Sequence, residues 1–178
     1  MPASPRRSAS PAVGAALFFV VAPGFVAGVV PWWLTGWRLR APLPYWTPFR
    51  VVGAVLLGAG VVVLIHAFVQ FAVEGMGTPA PIAPPEQLVV GGLYRYVRNP
   101  MYVAAAVTLV GQALLLGQLL LLAYAAAFAV VASAFVHWYE EPTLKRTFGA
   151  DYEAYRGAVP AWWPRRRPWS PDWANRLP

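Results

Sequence analysis

The feature that most constrains the fold of this chain is a stretch of 41 residues, from 99 to 139, without any Asp, Glu, Lys or Arg. A helix needs about 20 apolar residues to cross the hydrocarbon core of a bilayer. The stretch is long enough for two such helices, and Gly117-Gln118 near its middle indicates a turn. We therefore expect a helical hairpin with helices over residues 101–116 and 119–138.

Charged residues flank this stretch on both sides. Arg95 and Arg98 precede it, and Glu140 and Glu141 follow it. If the hairpin folds back on itself, all four side chains reach the same membrane face, where they would suit a zwitterionic ligand. The alternative for the glutamates is an ordinary helix start, in which Glu141 pairs with Lys145 four residues later.

Two more apolar segments, residues 12–30 and 51–73, are long enough to span a membrane. The fold class predicted is therefore all-α, a polytopic membrane protein with four transmembrane helices. The first segment could be a signal peptide, but no clear small-x-small cleavage site follows it, which favours an uncleaved helix. Gly24 and Gly28 in this segment either allow close helix packing or, with Pro23, mark a kink.

The charge balance supports a membrane location. Hydrophobic residues make up 58% of the chain and charged residues only 12%, against about 25% charged in soluble domains. The net charge is +7, and the basic residues flank apolar segments, which favours anionic lipid over nucleic acid as the partner. Eleven of the fourteen Lys and Arg residues lie on the predicted side of both termini. We expect a multi-pass protein of a bacterial inner membrane with both termini in the cytoplasm.

We divide the chain into three regions of one structural domain. Residues 1–73 form a two-helix membrane region, 74–164 a core of loop, hairpin and amphipathic helix, and 165–178 a basic, aromatic tail. Apolar residues after the fourth span recur at helical spacing, which predicts an amphipathic surface helix broken at Gly149. These residues are Leu144, Phe148, Tyr152 and Tyr155.

Polar residues at helical spacing within three spans indicate either an internal polar cavity or isolated hydrogen bonds between helices. They are His66, Gln70 and Glu74 on the second span, Thr108 and Gln112 on the third, and Ser133, His137 and Glu140 on the fourth. The chain has no cysteine and only two histidines without metal-ligand spacing, so no protein-bound metal is expected.

Two motifs resemble the isoprenylcysteine carboxyl methyltransferase family, and related membrane phospholipid methyltransferases share parts of them. The first is Leu88-Val-Val-Gly-Gly-Leu-Tyr-Arg-Tyr-Val-Arg-Asn-Pro-Met-Tyr102. The second begins at the Glu140-Glu141 pair and ends at Tyr155. The resemblance implies an integral membrane enzyme that uses S-adenosylmethionine as cofactor and methylates a lipophilic acceptor, either an isoprenoid carboxylate or a lipid-like substrate.

The resemblance also implies site residues. Arg98 begins the family's Arg-His-Pro-x-Tyr-x-Gly signature and is a catalytic candidate. The chemistry of the residues, rather than the resemblance, adds Glu141 and His137 as catalytic candidates, since either could take a proton if the nucleophile is an amine or hydroxyl rather than a carboxylate. The sequence departs from the family pattern at Asn99, where the family has His, and at Val136, where the prenylcysteine enzymes have a substrate-binding arginine. The implied cofactor contacts are Gln87, Leu88, Val89, Tyr94, Arg98, Asn99, Pro100, Met101, Tyr102 and Glu140.

Two other functions are compatible with the same sequence. One is a non-catalytic membrane scaffold that retains the fold. The other is a lipid-binding or transport protein that uses the polar stripes, although no inverted repeat is visible.

Overall fold

The computed structural model describes residues 21–74 and 87–170, and all regular secondary structure within these ranges is helical. Several expectations concern residues outside them. These are the first half of the first span with its possible signal peptide, the proline-rich part of the 74–100 loop, and the end of the basic tail.

Four helices form the described part of the chain. They are α1 (Val21–Thr35), α2 (Thr47–Glu74), α3 (Pro100–Leu116) and α4 (Leu119–Ala158), and a short 3-10 helix (Gly92–Arg95) precedes α3. The predicted hairpin of α3 and α4 is confirmed, with its turn at Gly117, which adopts the left-handed conformation that glycine tolerates best (φ 65°). Helix α4 does not end at the predicted residue 138. It continues through a π-helical turn (Val136–Glu140) into the amphipathic segment.

Two helices are long and apolar enough to cross a membrane, α2 over Thr47–Phe71 and α4. Most of their apolar residues are exposed on the outside of the protein. In the core helix of a soluble domain, by contrast, most such residues would be buried. Val55, Val62, Val130 and Val131 are among the most exposed. Such an outward apolar surface is stable against lipid rather than water. Helices α1 and α3 are shorter, so the four-span topology stays a prediction.

Helices α2 and α3 are antiparallel and make the closest helix contact in the described bundle. Gly53 and Gly60 of α2 lie against the backbone of α3, and Gly111 of α3 lies against the backbone of α2. A Cβ atom on Gly111 would come within 2.8 Å of Leu57 Cα. The glycines therefore fix the register of this pair, because only hydrogen fits between the two backbones.

The apolar face of the amphipathic second half of α4 packs on protein. This face, with the buried Tyr152 and Tyr155, forms a small core with Val90 and Val159. The predicted break at Gly149 is present, with φ 52° and ψ −120° inside the helix. The predicted periodicity is thus correct, but the loop before α3 covers the apolar face.

Candidate functional site

Folding of the hairpin brings Arg98 and the glutamate pair together. Arg98 Nη1 lies 2.8 Å from Glu141 Oε1 and also donates a hydrogen bond of 3.1 Å to the Tyr152 hydroxyl. Arg156 approaches the other Glu141 oxygen at 3.5 Å. The alternative pairing of Glu141 with Lys145 is wrong, since Lys145 forms its ion pair with Glu153. One end of the hairpin therefore carries a mostly buried ion pair that fixes Arg98.

Arg98 and Glu140 line the same cavity, which measures about 170 Å³. Aromatic side chains from three helices and the 3-10 helix form much of its wall, namely Phe68, Phe71, Tyr94, Tyr102 and Phe128. A cation, a carboxylate and aromatic rings thus surround one space. Such a lining can bind a ligand that carries both charges and a flat ring.

The polar atoms of the cavity are partly engaged. Glu140 Oε2 accepts a hydrogen bond of 3.3 Å from the Tyr102 hydroxyl. Arg98 Nε is buried and has no hydrogen-bond partner among the described residues. Burial raises the pKa of the Tyr94 phenol well above its usual value, with smaller contributions from Tyr155 and Glu140, so Tyr94 stays neutral. The unpaired Arg98 Nε is the atom that most directly indicates an anionic ligand, because a buried guanidinium donor without a partner is costly.

The segment before α3 is held in place by the end of α2. Glu74 accepts hydrogen bonds from the Gly91 backbone N–H at 3.0 Å and from Gln70 at 2.7 Å. Gly92 has a positive φ of 43°, and a Cβ atom there would collide with the Gln70 amide. These contacts position the 3-10 helix and, through it, Tyr94 and Arg98.

The segment after α4 binds the other side of the same loop. The Arg98 backbone N–H donates to Pro160 O at 2.9 Å, and Asn99 Nδ2 donates to Ala161 O at 3.2 Å. Arg95 was expected at the ligand site, but it does not line the cavity. Its Nε donates to Trp169 O at 2.7 Å, and its guanidinium also contacts the Ser170 hydroxyl. Of the two arginines predicted to bind a zwitterionic ligand, Arg95 and Arg98, only Arg98 lines the cavity.

A family model described as phospholipid methyltransferase matches residues 49–151, which is more than half of the chain. The chain belongs to the phospholipid methyltransferase family. This family is related to the isoprenylcysteine carboxyl methyltransferases, so the resemblance inferred from the two motifs is confirmed. No curated protein and no solved structure matches the chain.

The match to the phospholipid methyltransferase family contains twelve of the fifteen residues that line the cavity, and the other three, Ala22, Pro23 and Val26, lie on α1. Of the residues predicted to contact a cofactor, seven line this cavity: Tyr94, Arg98, Asn99, Pro100, Met101, Tyr102 and Glu140. The other three do not line it. Gln87 is exposed, Leu88 packs on the core of the amphipathic segment, and Val89 is buried.

The three residues predicted to be catalytic lie in different places. Arg98 lines the cavity. Glu141 is held by two arginines and does not line it. His137 is exposed, beside the Trp138 ring. The structure therefore places Arg98 where a ligand can reach it, whereas the proton-transfer roles of the other two stay predictions.

Some residues of the site are not apparent from the sequence. Phe71 and Phe128 resemble any other lipid-facing aromatic residue, and only the helix packing turns them towards the cavity. The polar stripes do not share one cavity either, because His66 and Ser133 are exposed whereas Thr108 and Gln112 are buried. The contact that holds the loop involves Gln70 and Glu74, and their four-residue spacing was the one indication of it in the sequence.

Proposed function

We propose that this protein transfers a methyl group from S-adenosylmethionine to a lipophilic acceptor at the cavity that Arg98 and Glu140 line. The observation that carries the proposal is the unpaired, buried Nε of Arg98 beside the Glu140 carboxylate in an aromatic cavity. Membership of a methyltransferase family supports the reaction class.

The residues present fit S-adenosylmethionine by their chemistry. Arg98 would hold the carboxylate of the amino-acid moiety, for which a guanidinium is well suited. Glu140 would accept hydrogen bonds from the ammonium or ribose hydroxyls, and Tyr94, Tyr102 or Phe71 would contact the adenine. The cavity of about 170 Å³ is smaller than the 300–1,000 Å³ that ligand sites usually enclose, so the proposal requires the site to widen on binding.

The bound cofactor would supply an electrophilic methyl group on a positively charged sulfur. The chain's own residues would then orient the acceptor and exclude water. If the acceptor is an amine or a hydroxyl, its proton needs a base. Glu140 is the carboxylate that lines the cavity, whereas Glu141 is occupied by two arginines and His137 faces outward. A carboxylate acceptor would need no base.

Two observations support a class of acceptor: the family, and one position at which this sequence departs from the prenylcysteine enzymes. The phospholipid methyltransferase family suggests a lipid-like substrate. Val136 is 3% exposed and apolar at the position where the prenylcysteine enzymes carry arginine. We therefore propose a membrane lipid rather than a free prenylcysteine carboxylate, entering from the bilayer while the cofactor enters from the cytoplasm. Both termini would then lie on the cytoplasmic side of a bacterial inner membrane, which reporter fusions at each end would test.

The decisive experiment incubates the purified protein with methyl-tritiated S-adenosylmethionine and a total lipid extract. We expect a labelled lipid whose formation requires protein and is lost in the Arg98→Gln variant. Glu153→Gln is a control, because it removes one charge from an exposed ion pair outside the cavity. If millimolar cofactor shows no binding by calorimetry, the non-catalytic scaffold is the better interpretation. Uptake of lipid without cofactor consumption would instead indicate transport.

A further inference from the structure

A second cavity of about 660 Å³ lies between α1, α2 and α3 and adjoins the first one. Pro23 and Leu64 belong to the walls of both. The lining of the second cavity is almost wholly apolar, and Val61, Ile65 and Trp37 in its wall are exposed in the described part of the chain. We name it the α1–α3 groove. Because these wall residues are exposed, the groove is accessible from outside the bundle, along the apolar surface of α2.

Two glycines leave the groove open. A Cβ atom on Gly24 or on Gly28 would meet no atom within 4 Å, so the GxxxG pair does not bring α1 close to the described helices. Two hydrogen bonds join α1 to its neighbours instead, from Gln112 Nε2 to Ala27 O at 2.6 Å and from the Tyr124 hydroxyl to Val26 O at 3.0 Å. Both acceptors lie in the π-helical turn Phe25–Val29.

The groove contains one unexplained polar group. Gln112 lines it, is only 7% exposed, and its Oε1 is buried without a hydrogen-bond partner among the described residues. The assignment of the amide is fixed by chemistry, since Ala27 O can only accept and must therefore face Nε2. Thr108, the other polar side chain in the wall, donates its hydroxyl hydrogen to Ala104 O. An unpaired amide oxygen in an apolar wall is costly unless a ligand donates to it.

We propose that the α1–α3 groove binds the hydrocarbon chain of the acceptor, and that Gln112 Oε1 accepts a hydrogen bond from a hydroxyl or amide N–H on that chain. This inference rests on the proposed function for the position of the reactive end. Ten residues of helix separate Tyr102 in the first cavity from Gln112, a rise of about 15 Å. Because Oε1 is buried and Nε2 is bonded to Ala27 O, binding requires the Gln112 side chain to shift enough to expose Oε1 while it keeps that bond. The site selects chains with a donor near their middle over plain hydrocarbon chains.

The test measures binding of tritiated C18 fatty acids to the full-length protein in detergent, without cofactor. We expect 12-hydroxystearate to bind about three- to tenfold more tightly than stearate, the gain of one hydrogen bond. Neither 2-hydroxystearate, whose donor is misplaced, nor 12-methoxystearate, which lacks a donor, should show that gain. Equal affinity for all four chains in the unmodified protein would overturn the proposal without any variant.

Variants then assign the effect to the groove. Gln112→Leu should remove the preference for 12-hydroxystearate and keep stearate binding. Gln118→Leu is the matched control, because Gln118 is a buried glutamine that also donates to a backbone carbonyl, at Arg38, but lies outside the groove. Gly28→Leu should weaken binding of every chain by filling the groove. A preference that survives in Gln112→Leu, or unchanged binding in Gly28→Leu, would contradict the inference.

The cofactor is measured separately by calorimetry on the same preparation. Cofactor binding without any chain preference leaves the proposed function intact and rejects the groove. A chain preference without cofactor binding rejects the methyltransferase proposal and retains the chain site.

Discussion

Arg98 and Glu141 are 43 positions apart in sequence and form an ion pair of 2.8 Å. Both side chains are mostly buried, at 12% and 15% exposed. The pair joins the two ends of the α3–α4 hairpin and fixes the guanidinium, whose Nε is buried without a hydrogen-bond partner among the described residues. We therefore expect Glu141 to position Arg98, whereas its predicted role in proton transfer stays a prediction.

Replacing Glu141 with alanine should therefore destabilise the fold and weaken cofactor binding together. Removing one partner of a buried ion pair costs about 3–5 kcal/mol, because the other charge stays buried and unpaired. Thermal unfolding in detergent and calorimetry with S-adenosylmethionine measure the two effects. Glu153→Ala breaks an exposed pair on the same helix and should leave the stability almost unchanged. Similar losses in both variants would show that the buried pair has no special role.

The Glu140→Gln variant should lose affinity for the cofactor and keep its stability. The change preserves shape but replaces the carboxylate that lines the cavity with a neutral amide. Charged hydrogen bonds contribute about 1.5–3 kcal/mol, so the dissociation constant should rise roughly ten- to a hundredfold. Calorimetry measures the affinity, and a melting curve checks the fold. An unchanged dissociation constant would remove Glu140 from the proposed site.

The close contact between α2 and α3 predicts opposite effects for two glycine substitutions in this pair. Gly111→Ala should destabilise the protein by about 1–3 kcal/mol, because the added methyl group meets the backbone of α2. Gly58→Ala on α2 should be neutral or stabilising by up to about 1 kcal/mol, since nothing lies within 4 Å of its Cβ position. Chemical unfolding of both variants in the same detergent makes the comparison. A stable Gly111→Ala protein would show that the helices do not pack this closely.

The loop that carries Tyr94 and Arg98 should depend on Gly92. Alanine there adopts a strained positive φ and collides with the Gln70 amide, which is bonded to Glu74. We expect Gly92→Ala to weaken cofactor binding at least tenfold while the helix content stays the same. Circular dichroism and calorimetry measure these quantities. Gly157→Ala is the control, because its Cβ position is open. Normal affinity in Gly92→Ala would mean that the loop position does not matter for the site.

The sequence alone determined the α3–α4 hairpin and the end at which its flanking charges meet, but not that α4 continues past residue 138. The uncharged stretch required an apolar hairpin, Gly117 placed its turn, and the flanking Arg98 and Glu140 had to come together once the hairpin formed. The two motifs also indicated the family that the match over residues 49–151 confirms. These conclusions were accessible because they depend on local composition and spacing along the chain.

Only the tertiary structure decided which charges serve the cavity and which serve the fold. Arg95 and Glu141 look equivalent to Arg98 and Glu140 in sequence, yet one binds the C-terminal segment and the other holds Arg98. The choice depends on side-chain direction and on contacts between distant segments, which spacing does not encode. The same holds for Gln112, whose Nε2 donates to Ala27 O while its Oε1 is buried without a partner among the described residues.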